Sequence, residues 1–352
     1  MADFLNVADF EREAERRLDP VAFAYFAGGA GDEWTLRENV AAFRRWHLRP
    51  RMLVDVGEPS ASTTVLGTPV SMPVLLAPVG FQQLAHPDGE LGVARAAAAA
   101  GTVYCHPTLS SVMADECAEA AAGGQRWFQL YWSRDRGFTR ELLRGVAEAG
   151  YSALVLTVDF AVIGRRERDL RIGVAFPPGD VPLPNISPEL QPVGTGLGHF
   201  VDATLTWRDL EWLRETCSLP LVVKGVLTAE DAVLAADHGA AAIVVSNHGG
   251  RQLDGVAASL DALPEVVEAV GDRVEVLLDG GVRRGIDVLV ALALGARATL
   301  IGRAFLWGLA ADGEAGVARV LELVREEILS ALALLGCRSP AHVTRAHVER
   351  AA

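Results

Sequence analysis

Residues 241–255 read Ala-Ala-Ile-Val-Val-Ser-Asn-His-Gly-Gly-Arg-Gln-Leu-Asp-Gly, and this stretch decides the fold that we expect. It begins as a continuous apolar run, typical of a parallel strand that is buried on both faces, and it ends in polar residues. His248 can take a proton near neutral pH, and Arg251 can bind a carboxylate through two hydrogen bonds. Gly249 and Gly250 let the backbone bend so that both side chains face one cavity. Taken alone, the stretch could also be a strand end with a hydrogen-bonded histidine and a surface arginine, so the rest of the chain must decide.

Seven further strand-like runs occur along the chain, and helical patterns follow them. The eight predicted strands are Pro73–Val79, Thr102–Cys105, Trp127–Trp132, Ala153–Val158, Leu221–Gly225, Ala241–Ser246, Val274–Leu278 and Thr299–Gly302. The clearest helical patterns cover Gly89–Ala100, Arg136–Ala149, Ala229–His238, Ala257–Val270 and Ile286–Leu294. Eight β-then-α units predict a (β/α)₈ barrel, the α/β fold called a TIM barrel.

Three segments lie outside this alternation. Residues 1–65 predict an N-terminal extension of two or three short helices with a hairpin near Trp46–Leu53, which closes the bottom of the barrel and reaches towards its top. Residues 160–205, after the fourth strand, form a long Pro- and Gly-rich connection of the kind that often acts as a lid. The amphipathic tail Gly316–Leu335 predicts the last helix. We expect residues 1–352 to form a single domain.

Composition argues against several classes of protein. The formal net charge of −13 disfavours nucleic acid and anionic membranes as partners. No run of 18 apolar residues predicts a membrane-spanning helix, and the N-terminus lacks the apolar core of a signal peptide. The four cysteines lie far apart in the sequence and form no metal-binding motif. We therefore expect reduced thiols, no metal ion and a cytoplasmic location.

Polar residues stand at the C-terminal ends of most predicted strands, where barrel active sites form. Lys224 and Asp279 look buried, and buried charges need partners. The ends of strands seven and eight, Asp279–Arg283 and Gly302–Arg303, combine glycines with cations, and barrels often bind phosphate there. These residues predict a phosphorylated cofactor or substrate, with two tight turns bearing surface arginines as the alternative.

Taken together, the motifs resemble the family of FMN-dependent α-hydroxy-acid oxidases and dehydrogenases, which includes glycolate oxidase, lactate oxidase and mandelate dehydrogenase. The resemblance extends from about Phe4 to Val348. Its most specific stretches are residues 27–36, 85–90, 128–131, 156–159, 223–226, 246–254 and 278–285.

The resemblance implies roles for the residues around the substrate. His248 would be the catalytic base, Asp159 the carboxylate that orients it, and Tyr131 the tyrosine beside the substrate hydroxyl. The residues implied to bind the substrate carboxylate are Tyr25, Arg166 and Arg251.

The cofactor that the resemblance implies is FMN. Lys224 would lie near the N1/O2 edge of the flavin and favour its anionic reduced form. The other residues implied to contact FMN are Pro78, Val79, Gly80, Gln129, Thr157, Ser246, Asp279, Gly281, Arg283, Gly302 and Arg303.

The segment after the second strand departs from the family pattern. Members like glycolate oxidase usually have a serine where Pro107 falls, and that serine contacts the flavin. Because Pro107 has neither an amide N–H nor a hydroxyl, we expect Thr108 to replace this contact. Leu109 falls near a tryptophan of the family and leaves a wider wall, so the substrate is expected to be bulkier than glycolate. Gly80 replaces a common alanine and is expected to open space near the flavin N5.

The implied reaction is oxidation of an (S)-2-hydroxy acid to a 2-keto acid, with oxygen or another acceptor reoxidising the flavin. Whether the base removes the carbon-bound or the hydroxyl proton stays open. The family also implies a homotetramer, with an octamer as the alternative. Three other hypotheses are an amine or peptide-borne substrate, a flavin-dependent isomerase, and a non-catalytic flavin-binding barrel. The carboxylate-binding residues argue against the first, and the paired His248 and Asp159 argue against the other two.

Overall fold

Eight parallel strands close into a barrel in the computed structural model, which describes residues 4–174, 181–190 and 201–351. The barrel strands are β1 (Val74–Leu76), β2 (Val103–Pro107), β3 (Gln125–Leu130), β4 (Ala153–Thr157), β5 (Leu221–Val226), β6 (Ala242–Val245), β7 (Glu275–Asp279) and β8 (Ala298–Ile301). Each strand pairs with the next along the chain, and β8 pairs with β1 to close the ring, with Leu300 opposite Leu75. The barrel predicted from the sequence is confirmed.

The strands read as apolar runs because both of their faces are buried. In β6, Ala242 and Val244 belong to the cluster that fills the barrel interior, whereas Ile243 and Val245 pack under the outer helices. Side chains alternate between the two faces of a strand. A polar residue inside such a run faces either the apolar interior or the apolar helix layer and needs a hydrogen-bond partner there, as His106 in β2 has in the hydroxyl of Tyr151. Most other polar side chains stand near the strand ends.

Twelve α-helices lie among the described residues. They are α1 (Val7–Arg17), α2 (Pro20–Ala27), α3 (Trp34–Ala41), α4 (Gly89–Ala100), α5 (Ala114–Ala120), α6 (Arg136–Glu148), α7 (Glu167–Arg171), α8 (Asp209–Thr216), α9 (Ala229–Asp237), α10 (Ser259–Val270), α11 (Gly285–Ala293) and α12 (Arg303–Leu335). The helical N-terminal extension is confirmed as α1 to α3. Local signals set its boundaries, since Asn6 caps α1 and Asp19 followed by Pro20 begins α2.

The hairpin expected near Trp46–Leu53 is wrong. Trp46–Leu48 instead pairs antiparallel with Val348–Arg350, a partner at the far end of the sequence that no local pattern reveals. The hairpin next to the barrel is Thr63–Val65 with Thr68–Val70. The N–H of Leu66 in its turn donates to the carboxylate of Glu275 at the start of β7, at 2.9 Å, so this hairpin closes the bottom of the barrel.

The last helix begins earlier than the tail pattern predicts. It starts at Arg303 rather than Gly316, and it is interrupted at Asp312 and Gly313, where the backbone leaves helical geometry. Gly313 has a φ of 59° and lies against Asp88 and His86, so a side chain there would collide with them. Residues 304–311, before the interruption, are all buried, so they show no amphipathic pattern, which begins only beyond it.

The lid stays a prediction. Of residues 160–205, the structure describes α7 and a short turn at Pro188–Leu190, whereas 175–180 and 191–200 lie outside the described residues. The single-domain organisation of residues 1–352 stays a prediction as well. No helix in the described ranges has the length and apolar character needed to cross a bilayer.

Candidate active site

A cavity lies at the C-terminal ends of the barrel strands, where the polar residues of the sequence converge. Its volume is about 1050 Å³, which includes the open mouth. The predicted site residues on its wall are Tyr25, Pro78, Val79, Gly80, Leu109, Gln129, Tyr131, Thr157, Arg166, Lys224, His248, Arg251, Asp279, Gly281, Arg283, Gly302 and Arg303. The structure therefore brings together side chains that are separated by up to 278 positions in the sequence.

His248 stands between Asp159 and Tyr131. Its Nδ1 lies 2.8 Å from Oδ1 of Asp159, and its Nε2 lies 3.3 Å from the hydroxyl of Tyr131. An ionised carboxylate only accepts hydrogen bonds, so the Nδ1 carries the proton. This tautomer leaves the lone pair of Nε2 on the side of the cavity and Tyr131.

The backbone around His248 is held in an uncommon conformation. His248 has a φ of 58°, and Gly249 and Gly250 follow with φ of 64° and 75°. The N–H of His248 donates to the Oγ of Ser246 at 3.0 Å, and the side chain of Asn247 accepts from the N–H of Gly250. Non-glycine residues with positive φ are uncommon and often stand at functional sites. The two glycines permit the turn that brings the imidazole over the cavity.

Electrostatics favour a neutral imidazole and an ionised carboxylate in this pair. Burial lowers the pKa of His248, and the attraction of Asp159 only partly offsets this effect. Burial acts to raise the pKa of Asp159, but His248 and Lys224 outweigh it and hold that pKa below its ordinary value. His248 is therefore able to accept a proton at neutral pH, and Asp159 is charged when it does so.

Two arginines lie beside Tyr25 at the mouth of the cavity. Arg251 donates from Nη1 to the carbonyls of Tyr25 and Gly28 at 2.7 and 2.9 Å, and its guanidinium lies 4.9 Å from the centre of the Tyr25 ring. Arg166 is buried and donates to the carbonyl of Arg251. Burial and the repulsion of Arg251 lower the pKa of Arg166 to about 10. Arg165 turns outward towards Glu167, so Arg166 is the cation on the wall.

Two further arginines of the cavity wall follow β7 and β8, and one of them, Arg303, shares the carbonyl of Gly28 with Arg251. Arg303 donates to the carbonyls of Phe26, Gly28 and Gly249, and Arg283 donates to the carbonyl of Val282. Burial lowers the pKa of both. Within the described ranges, none of the four wall arginines forms an ion pair with a carboxylate. The cavity therefore presents several buried or partly buried positive charges, which an anionic ligand would neutralise.

Lys224 is the fifth cation, and it is paired. Its Nζ lies 3.0 Å from Oδ2 of Asp279 and 3.0 Å from the Oγ of Ser246. Burial acts to lower the pKa of Lys224, but Asp279 and Asp159 outweigh it and raise that pKa. The amine is therefore charged and held at a fixed place in the wall.

Two residues expected to contact FMN stand behind the wall rather than on it. Thr108 donates from its hydroxyl to the carbonyl of Gln129 and accepts from the N–H of Tyr131, and its own N–H donates to the Gln129 side chain. The hydroxyl of Ser246 is fully buried against Lys224 and His248. Both hydroxyls are engaged by protein groups. Asp159 also lies behind the wall, where it contacts His248.

The expectation that Gly80 opens space is also corrected. A Cβ at this position would lie 2.9 Å from the Cβ of Leu109 and 3.2 Å from its carbonyl oxygen. The volume of the missing methyl group is therefore occupied by Leu109. The side chain that fits at position 80 therefore depends on the residue at position 109. Comparing position 80 alone with the family pattern does not reveal this.

Phe160 is a wall residue that the sequence reasoning missed. Its ring centre lies 4.7 Å from that of Tyr131 and 5.6 Å from that of His248. The signal was its place directly after Asp159 at the end of β4, but the residue was assigned to the lid. A second missed feature is the buried pair of Asn39 and Asn247, whose amides bond reciprocally at 2.8 Å and tie α3 to the turn before His248.

The comparisons with known proteins agree with this geometry. The family model described as FMN-dependent dehydrogenase matches residues 14–350. The chain is 51% identical to L-lactate oxidase of Nostoc sp. over 95% of this chain and 94% of that protein. It is 47% identical to glycolate oxidase 3 of Arabidopsis thaliana over 99% of this chain and 96% of that protein.

A solved structure of a mandelate oxidase variant with (S)-mandelic acid has a TM-score of 0.92 and 43% sequence identity, covering 99% of both chains. The chain belongs to the FMN-dependent dehydrogenase family. The resemblance inferred from the motifs is thereby confirmed, and with it the assignment as an oxidoreductase whose cofactor is FMN.

The described residues fit this cofactor. Arg283 and Arg303 are partly buried cations without a carboxylate partner in the described ranges, as a phosphate site requires. The Nε2 of Gln129 is buried, and no described group bonds to it, while its Oε1 is held by Thr108. A ligand carbonyl is the partner that this donor lacks.

Proposed function

We propose that the chain oxidises (S)-2-hydroxy acids to 2-keto acids, with His248 as the base. The observation that carries the proposal is the hydrogen bond from the Nδ1 of His248 to Asp159. It leaves the Nε2 lone pair beside Tyr131, in a cavity with unpaired cations. Oxidation of a 2-hydroxy acid requires a base and a cation, because the reaction releases a proton and the substrate carboxylate binds to positive charge.

Arg251, Arg166 and Tyr25 bind the substrate carboxylate in this proposal. The carbonyls of Tyr25 and Gly28 hold the guanidinium of Arg251 in place, so it is ordered before the substrate arrives. Donors fixed in this way need little reorganisation on binding. The wall contributed by Leu109 accepts a substrate bulkier than glycolate.

His248 takes the substrate proton at Nε2. The Asp159 carboxylate then lies 2.8 Å from an imidazolium, which it stabilises. The hydroxyl of Tyr131, beside the same Nε2, orients the substrate hydroxyl. The two electrons of the oxidation would be taken up by FMN when it is bound. The arrangement serves removal of the carbon-bound proton and removal of the hydroxyl proton equally.

The residues proposed to hold FMN divide by chemistry. Arg283 and Arg303 bind its phosphate with the backbone at Gly281 and Gly302, and Asp279 accepts from its ribityl hydroxyls. Lys224, Gln129 and Thr157 bind the polar edge of the ring. Pro78, Val79 and Gly80 supply the strand-end backbone along the ring.

The electron acceptor, assembly and location complete the proposal. Oxygen is the proposed acceptor, because the relatives compared above are named as oxidases. A homotetramer and a cytoplasmic location remain predictions from the sequence.

The test is anaerobic bleaching of the flavin absorbance by glycolate, lactate, 2-hydroxyoctanoate and mandelate, each as the (S) form where chiral. We expect rapid bleaching by the larger acids and return of the colour on admitting air. If the colour returns only when an artificial electron acceptor is added, the protein is a dehydrogenase rather than an oxidase. A bound flavin that no hydroxy acid bleaches would favour an amine or peptide substrate, or a non-catalytic barrel.

A further inference from the structure

Residues 85–90, Ala-His-Pro-Asp-Gly-Glu, form a motif that the proposed chemistry does not use. Asp88 has a structural role, since its carboxylate accepts from the N–H of Glu314 at the interruption of α12. Glu90, in the first turn of α4, is fully buried and lies outside the cavity wall. A buried carboxylate is costly unless it is hydrogen-bonded, so its partners are informative.

The partners of Glu90 belong to two loops of the active site. We define the first loop as residues 78–82, after β1, and the second loop as residues 108–111, after β2. The Oε1 of Glu90 accepts from the N–H of Gln82 at 3.2 Å and from the N–H of Ser111 at 3.3 Å. Its Oε2 accepts from the hydroxyl of Ser111 at 2.5 Å. One carboxylate thus links the ends of both loops.

The same two loops meet again at the cavity wall. The N–H of Phe81 donates to the carbonyl of Leu109 at 2.9 Å. The side chain of Gln82 donates to the carbonyl of Val79, so the wall backbone of the first loop is tied to the residue that Glu90 holds. Between these bonds, Gly80 and Leu109 approach so closely that a methyl group does not fit.

An acidic residue in the first turn of a helix has a simpler explanation, because the helix dipole favours it there. That explanation accounts for the charge but not for the direction of the side chain. Its contacts with Gln82 and Ser111 cross from α4 to two separate loops. Ser111 lies only two residues from Leu109, and Gln82 two residues from Gly80.

We propose that Glu90 is a positioning residue that sets the spacing between the two loops, and thereby the size of substrate side chain that fits between Gly80 and Leu109. The proposal rests on the proposed function. Without the carboxylate, two buried N–H groups lose their partner and the loops are free to separate. Glutamine preserves the link, since its carbonyl accepts from both N–H groups and its amide donates to Ser111.

The test compares Glu90→Ala with Glu90→Gln, each with and without Gly80→Ala. The ratio of kcat/KM for 2-hydroxyoctanoate to that for lactate is measured, because a displacement of about 1 Å can change rates by about 10²-fold. We expect Glu90→Ala to change this ratio by about tenfold, whereas Glu90→Gln should keep it close to the wild-type value. We also expect Gly80→Ala to be roughly tenfold less damaging in the Glu90→Ala background, because the separated loops admit the methyl group.

The matched control is Thr139→Ala, which removes a buried side-chain hydrogen bond in α6, away from both loops. It should lower Tm without shifting the ratio. An equal shift in the control, or an equal cost of Gly80→Ala in both backgrounds, would overturn the proposal. If Glu90→Ala does not fold, Ser111→Ala removes one of the three hydrogen bonds and takes its place in the same comparison.

The affinity of the apoprotein for FMN, followed by flavin fluorescence, separates this proposal from the proposed function. Gly80 lies on the wall, so the same non-additivity between positions 80 and 90 is expected in the FMN Kd. If no hydroxy acid reduces the wild-type flavin, the proposed function fails, and the Kd alone decides the role of Glu90. If hydroxy acids reduce it, but the effects of Gly80→Ala and Glu90→Ala are additive in both kcat/KM and the FMN Kd, only the proposed role of Glu90 fails.

Discussion

The two ends of the barrel differ in whether their charged groups find partners within the protein. At the bottom, Val65 and Val70 of the hairpin complete an apolar cluster with the strand interiors, and Glu275 is bonded to the hairpin turn. At the top, the wall arginines donate to backbone carbonyls, Arg251 also lies over the ring of Tyr25, and none of them pairs with a carboxylate in the described ranges. The bottom thus resembles an ordinary core, whereas the top holds charges that a ligand would complete. One set of strands supports both because most of their polar residues stand near the strand ends.

Removing the proposed base tests this difference between the two ends of the barrel most directly. His248→Asn should lower the rate of anaerobic flavin reduction by about 10²–10⁴-fold, the usual contribution of a general base. Asparagine is chosen because it tolerates the positive φ at this position. Stopped-flow spectroscopy with the best hydroxy acid measures the effect. A rate within about tenfold of wild type, with Tm unchanged, would rule out His248 as the base.

A second change tests the proposed phosphate site. Arg283→Gln removes a partly buried cation, and a hydrogen bond to a charged group contributes about 1.5–3 kcal/mol. We expect the FMN Kd to rise by roughly tenfold to hundredfold while Tm of the apoprotein stays the same or rises. Fluorescence titration of the apoprotein measures the Kd. An exposed arginine, Arg273, supplies the control Arg273→Gln, and an equal loss of affinity there would contradict the assignment.

The bottom should respond in the opposite way. Val65→Ala removes two methyl groups from the barrel interior, which should cost roughly 2 kcal/mol of unfolding free energy. Because the hairpin lies at the end away from the cavity, kcat/KM and the FMN Kd should not change. Denaturant unfolding of the apoprotein measures the first quantity. A clear change in Kd without a loss of stability would show that the two ends are not independent.

The smallest expected effect is a shift along the pH axis. Burial lowers the pKa of His248, so kcat/KM should be flat around pH 7 and fall only as the pH drops through that lowered pKa and the base becomes protonated. Asp159 opposes the lowering, so Asp159→Asn should move this acidic limb to still lower pH while also reducing kcat. The control Asp135→Asn alters a helix cap away from the cavity and should leave the limb in place. A limb that moves upward in Asp159→Asn would contradict the pairing.

Much of the fold could be predicted because its signals are local. The apolar run of β6 and the polar residues that follow it are contiguous, and α4 begins and ends where its pattern predicts. The mistaken hairpin has the opposite cause, because Trp46–Leu48 finds its partner about 300 positions away. The first part of α12 was missed because residues 304–311 are buried on every side and carry no amphipathic period.

The candidate site shows the same division. The side chains of His248, Arg251 and Lys224 were identified from their type and their place at strand ends, and all three line the cavity. Whether a hydroxyl faces the cavity or the protein was not predictable, as Thr108 and Ser246 show. That choice depends on which donors and acceptors surround each hydroxyl, and these come from distant strands.

The sequence by itself determined the barrel, its family and the chemical types present at the strand ends, because each follows from residue type and short-range order. Only the tertiary structure decided which of those groups meet. The proton on Nδ1 of His248, the occupied space beside Gly80 and the link from Glu90 to two loops are contacts between separate β/α units. Such contacts are set by close packing across the barrel, whose distances no linear pattern encodes.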